Sequence, residues 1–122
     1  MKAEWIDLQI NGYGGVDFNA AGLTVEQVID VTQRLEQAGT AGYLPTFVTG
    51  DPEMVLANMR VLVEARRKSA LCEKNIIGVH LEGPFISAEP GAVGTLLLSG
   101  CVLRRLSSSA NIRMRAEVWL SL

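Results

Sequence analysis

Ile76-Ile77-Gly78-Val79-His80-Leu81-Glu82-Gly83-Pro84-Phe85 is the stretch around which the chain is organised. An apolar run leads into a histidine, then a carboxylate, then a Gly-Pro break. Such a run, closed by turn residues, predicts a buried strand that delivers polar side chains to a site at its C-terminal end. His80 and Glu82 are two residues apart, so a strand places both on one face. Gly83-Pro84 stops the strand and turns the chain away. A buried carboxylate is costly to leave unpaired, so Glu82 wants a cation, a metal or water.

Working back towards the N-terminus, Trp5-Ile6-Asp7-Leu8-Gln9-Ile10-Asn11 alternates as a strand does. Trp5, Asp7, Gln9 and Asn11 share one face; Ile6, Leu8 and Ile10 share the other. A polar row on a buried strand makes sense where that face lines a polar site, as at the top of a β/α barrel. Gly12-Tyr13-Gly14-Gly15 reads as a loop. It is no dinucleotide fingerprint, because the third glycine of G-x-G-x-x-G falls on Asp17. Thr24 and Gln27 make a capping box, Val25, Val28, Ile29 and Leu35 recur at helical spacing, and Gly39 is placed as a C′ glycine. Gly42 to Val48 is a second apolar strand. Pro45 cannot donate to a ladder, so one partner side must be open or bulged there. Asp51-Pro52-Glu53 starts a second helix, with Val55, Leu56, Met59, Leu62 and Val63 as its buried stripe and Arg66, Arg67 and Lys68 at its C-terminal end. A short loop then leads to the third strand at Ile76.

This β-α-β-α-β order with short connections forces parallel pairing. It opens either a doubly wound sheet or a (β/α)8 barrel, and both place a site at the carboxyl edge of the strands.

The chain has 122 residues, 48% hydrophobic and 20% charged, which suits one ordinary globular domain. A net charge of −2 argues against a general nucleic-acid surface. Cys72 and Cys101 form no metal or disulfide pattern and are expected as reduced thiols in the cytoplasm. No signal peptide or membrane span is expected. The charge is uneven: residues 1–94 carry a net −5 and residues 95–122 a net +3. From about Ala92 the caps, turns and amphipathic stripes also cease. Leu, Ser and Arg dominate there, each encoded by six codons, as an out-of-frame reading produces. We therefore expect a β/α part over residues 1–91 and a divergent tail over 92–122, frameshifted near Pro90–Gly94. The parent DNA tests this.

Three segments resemble the N-acetylglucosamine-6-phosphate deacetylases of the amidohydrolase superfamily: Ile6 to Gly15 with Asp17-Phe18-Asn19 after it, Gly39 to Thr49, and Gly78 to Ser87 with its His-Leu-Glu-Gly-Pro-Phe core. They occur in family order at family-like separations. The resemblance implies an α/β fold, a partial (β/α)8 TIM barrel holding the first three βα units. A whole barrel takes about 250 residues, so it also implies a fragment.

The resemblance implies that Glu82 is a ligand of a catalytic divalent metal, completed by two histidines from later strands; His80 is the sole histidine here. Gln9 and Asn11 stand where other amidohydrolases carry His-x-His. Neutral amides are poor zinc ligands beside imidazole, so one metal, zinc, is expected in the complete enzyme. Gln9, Asn11 and His80 are expected to line the site, His80 as a hydrogen-bonded structural residue. The family's Lys-x-Gly-Ala-His corresponds to Pro90-Gly91-Ala92-Val93, which makes Ala92 the candidate substrate contact and leaves Val93 in place of the histidine. The implied reaction is hydrolysis of the acetamide of N-acetylglucosamine 6-phosphate to glucosamine 6-phosphate and acetate, with a later-strand Asp shuttling the proton. The catalytic Asp is outside this chain, which is expected to be inactive alone. The implied partner is the amino-sugar phosphate, with no nucleic acid and no membrane, and a homo-oligomer for the complete enzyme. Two other readings stand beside this one: a non-catalytic β/α fragment that folds poorly or survives by association, favoured by the missing ligands and an exposed third-strand edge, and a phosphate-binding module built on Gly12–Gly15 and helix N-termini.

Overall fold

A computed structural model describes residues 4–83 of the chain. The expectations for Pro84 and Phe85, for Ala92 and Val93 and for the tail lie outside the described residues. The element order is β1 (Trp5–Ile10), β2 (Gly12–Tyr13), β3 (Val16–Asp17), α1 (Val25–Gln37), β4 (Thr40–Val48), α2 (Pro52–Lys68), α3 (Ala70–Asn75) and β5 (His80–Glu82). β1, β4 and β5 form a parallel sheet in that spatial order, and β2 and β3 pair as a separate antiparallel hairpin.

Local chemistry explains most boundaries. Thr24 caps α1 by accepting from Gln27 N, while the Gln27 side chain accepts from Thr24 N. Gly39 follows the C-cap Ala38 at φ +97°, where a side chain would be strained. Asp51 accepts from Glu53 N and Pro52 takes the first helical turn of α2.

Three expectations need correction. The Gly12–Gly15 stretch is a tight hairpin: Gly12 pairs with Asp17 and Tyr13 with Val16, around Gly14 and Gly15 at φ +61° and +90°. Positive φ at both central positions is what a two-residue hairpin turn requires, and a Cβ at Gly12 would collide with the Val16 carbonyl oxygen. The expected loop before the third strand contains α3, capped by the Ser69 side chain accepting from Cys72 N. Ser69 is extended, at φ −134° and ψ 115°, so it ends α2 and starts α3 at once. The third strand is therefore shorter than read: Ile76 makes a single bridge to Tyr43, and the continuous strand spans His80–Glu82.

The alternation of β1 is also broken. Its register against β4 shifts between Trp5 and Ile6, and again between Asp7 and Ile10, where Ile10 meets Pro45. The second shift falls where Pro45 has no N–H to give. Of the apolar row only Ile10 is buried; Ile6 and Leu8 are 59% and 63% exposed.

The helices contact one another. Their buried residues, among them Val28, Val31, Leu35, Met59 and Leu62, join Tyr43, Phe47, Ile76 and Val79 in one cluster. Each fully buried side chain of this size is worth about 1.5–3 kcal/mol of transfer free energy. Tyr43, Phe47 and Val79 thus face the helices. Strand alternation then turns Leu44, Thr46 and Val48, with His80 and Glu82, to the opposite face.

A buried polar node sits within this core. The Thr32 hydroxyl donates to Val28 O at 2.7 Å. Its two lone pairs are then left for the Tyr43 hydroxyl at 2.8 Å and the Cys72 thiol at 3.3 Å. Burial pushes the Tyr43 phenol far above its usual range; the bond to Thr32 works against this and the Cys72 sulfur adds to it.

Candidate metal centre

The carboxyl ends of β1, β4 and β5 converge on the face away from the helices. Thr46 pairs with His80 and Val48 with Glu82, so these four share a face. β1 and β5 both flank β4, and two such strands lie about 10 Å apart in a flat sheet. Two side-chain bonds nevertheless bridge them. Gln9 Nε2 donates to Glu82 Oε2 at 3.1 Å. His80 Nδ1 lies 3.1 Å from Leu8 O. A carbonyl only accepts, so Nδ1 carries a proton and is the donor in this bond. In the ladder His80 pairs with Thr46, which is fully buried. Both bridges join β5 to β1 across β4.

The structure thus brings together three sequence-predicted residues: Gln9, His80 and the half-buried Glu82. Asn11 is exposed, and its backbone carbonyl receives Phe18 N at 2.9 Å. Ala92 lies outside the described residues.

The sequence reading missed the residues that hold this edge in place. The Asn19 amide continues the β4 ladder beyond Ile10: its Nδ2 donates to Thr46 O at 2.9 Å and its Oδ1 accepts from Val48 N at 2.9 Å. Asp17 Oδ1 accepts from Asn19 N at 2.8 Å and fixes that turn. Asn58, buried on α2, donates to Phe18 O and Ala20 O at 2.8 and 2.9 Å. Thr49, buried just past β4, donates from Oγ1 to Glu82 O at 3.0 Å. The only available signal was residue type: short hydrogen-bonding side chains next to strand ends.

The donor set fits one ligand of a divalent metal. Glu82 is a carboxylate with Oε2 held by a neutral donor, and no hydrogen bond reaches Oε1 among the described residues. Among those residues no group of three or more His, Cys, Asp or Glu could hold a metal, so the remaining ligands would come from elsewhere. Among them, too, no helix is long and apolar enough to cross a membrane.

No protein-family model matches the chain. It is 44% identical over 87 residues to an N-acetylglucosamine-6-phosphate deacetylase of Rattus norvegicus, a match covering 70% of this chain and 20% of the relative. It is 33% identical over 94 residues to the enzyme of that name from Haemophilus influenzae, covering 76% of this chain and 23% of the relative. The solved N-acetylglucosamine-6-phosphate deacetylase of Pasteurella multocida superposes with a TM-score of 0.75 at 29% identity, over 95% of this chain and 29% of that one. The chain spans about a fifth of the length of the curated relatives it matches. The resemblance read from the three segments is to the same enzymes.

Proposed function

We propose that this chain, most of which matches N-acetylglucosamine-6-phosphate deacetylases, supplies the first three strands of a (β/α)8 barrel that hydrolyses the acetamide of N-acetylglucosamine 6-phosphate. The observation that carries this reading is the Gln9–Glu82 bond across β4 at the carboxyl ends of three parallel strands. The strands follow one another in spatial order, the helices share one core, and polar side chains bridge the other face. A barrel wall has these three features, and its active site lies at the carboxyl ends.

Glu82 is the proposed ligand for a divalent metal, zinc by its usual carboxylate and imidazole company. When bound, such an ion polarises the scissile carbonyl and lowers the pKa of its water. Gln9 orients the carboxylate and leaves its second oxygen open. His80 holds β5 to β1, so that Glu82 keeps its distance from the first strand. Imidazoles and a proton-shuttling carboxylate must come from strands beyond residue 83.

The test is a chimera in which residues 5–83 replace the corresponding stretch of the Pasteurella multocida enzyme. The expected result is zinc-dependent release of acetate from N-acetylglucosamine 6-phosphate, abolished by Glu82→Gln. A folded, zinc-loaded chimera without turnover would sink the proposal.

A second reading is favoured by one observation. Among the described residues β1 and β5 are the two edges of the sheet, and β1 leaves Trp5, Ile6 and Leu8 about two-thirds exposed. An uncovered edge of that kind invites association, so the chain alone is a candidate for a non-catalytic associating fragment.

A further inference from the structure

We infer that Thr49 is a positioning residue for the Glu82 carboxylate, acting through the main chain of β5. This rests on Glu82 being the metal ligand. The last backbone pair between β4 and β5 is Val48 with Glu82. Beyond it the ladder ends, and the Glu82 carbonyl lies at the point where the chain leaves the sheet. Thr49 fills this position: its side chain turns back and its hydroxyl donates to Glu82 O at 3.0 Å. Thr49 is 8% exposed, so water competes little for this bond. Asn19 fixes the preceding turn of β4 at Thr46 O and Val48 N.

Glu82 is therefore held at two separate points. Thr49 fixes its main chain, and Gln9 fixes Oε2. Without the Thr49 hydroxyl, the terminal peptide of β5 is free to rotate, and the carboxylate swings away from Gln9. Valine at 49 keeps the shape and removes the donor; serine keeps the donor and loses only a methyl group.

The experiment uses the full 122-residue chain, isotope-labelled, as wild type, Thr49→Ser and Thr49→Val. Two signals are read: the shift and exchange rate of the Gln9 side-chain amide protons in this chain, and line broadening at Glu82 when Mn2+ alone is titrated into the Pasteurella multocida chimera carrying the same residue at 49, which supplies the other ligands. Wild type and Thr49→Ser are expected to show a protected Gln9 amide and broadening centred on Glu82. Thr49→Val is expected to lose the protection and to need about 10-fold more Mn2+, the low end of what supporting residues around a metal usually cost. A Thr49→Val chain that keeps the Gln9 amide protected overturns the inference. If Mn2+ fails to broaden Glu82 in the chimera with Thr49, the metal reading fails, and the Gln9 amide alone decides on Thr49. Should Thr49→Val unfold, Thr49→Ala is read in the same way.

Discussion

Glu82, Gln9 and Thr49 together show how a single carboxylate is positioned, with one oxygen restrained, its backbone pinned and its other oxygen without a hydrogen bond among the described residues. In the interior the Thr32 hydroxyl serves three partners. Thr32→Val would strand the Tyr43 hydroxyl and the Cys72 thiol in the core. We expect a loss of about 1–3 kcal/mol in denaturant unfolding, the cost of buried polar groups left unpaired. Tyr43 gives a pH prediction. Its folded pKa is raised by burial, so the folded state keeps the phenol proton longer than the unfolded chain. This contribution is fully present below the unfolded value of about 10 and is lost as pH climbs above it. The slope approaches about 1.4 kcal/mol per pH unit. Tyr43→Phe should flatten this part of the alkaline fall in unfolding midpoint; an unchanged slope would show that the phenol titrates as freely as in the unfolded chain. Glu82 was legible because a strand, a carboxylate and a Gly-Pro break coincide at one point. Thr49, Asn19 and Asn58 were not, because their partners are main-chain carbonyls and amides up to 40 residues away, which leave no local pattern.

At the scale of elements, the helix starts could be read directly, since caps are short-range chemistry. Thr24→Ala should cost about 0.5–2 kcal/mol through loss of the capping box, measurable as a shift in urea midpoint. The Gly12–Asp17 hairpin and α3 were not legible. The hairpin strands are two residues each, too short to show a period, and α3 is hidden because Ser69 closes one helix and caps the next. Gly12→Ala would drive a methyl group into the Val16 carbonyl. We expect the Gly12–Asp17 pair to open at a cost of about 1–3 kcal/mol, as overpacking usually does, seen as lost cross-strand nuclear Overhauser effects. The alternation of β1 misled for a different reason. Two register shifts, one of them against the proline of β4, break the simple odd-even rule.

The whole molecule has one well-filled side and one unfinished side. The helix face closes around Phe18, Tyr43, Phe47 and Leu62, all at most 1% exposed. The β1 edge, in contrast, presents Trp5, Ile6 and Leu8 to solvent. We expect the isolated chain to elute earlier from a sizing column as its concentration rises, and Ile6→Lys with Leu8→Lys to remove that dependence. A monomer at every concentration would show that the edge attracts nothing. In the barrel proposed here, the remaining strands would cover this side and bring the missing ligands to Glu82. The most direct measurement is the zinc content of the Pasteurella multocida chimera after dialysis, with and without Glu82→Gln. One zinc per chain is expected with Glu82 and little with Gln; equal zinc in both would show that Glu82 is not a ligand.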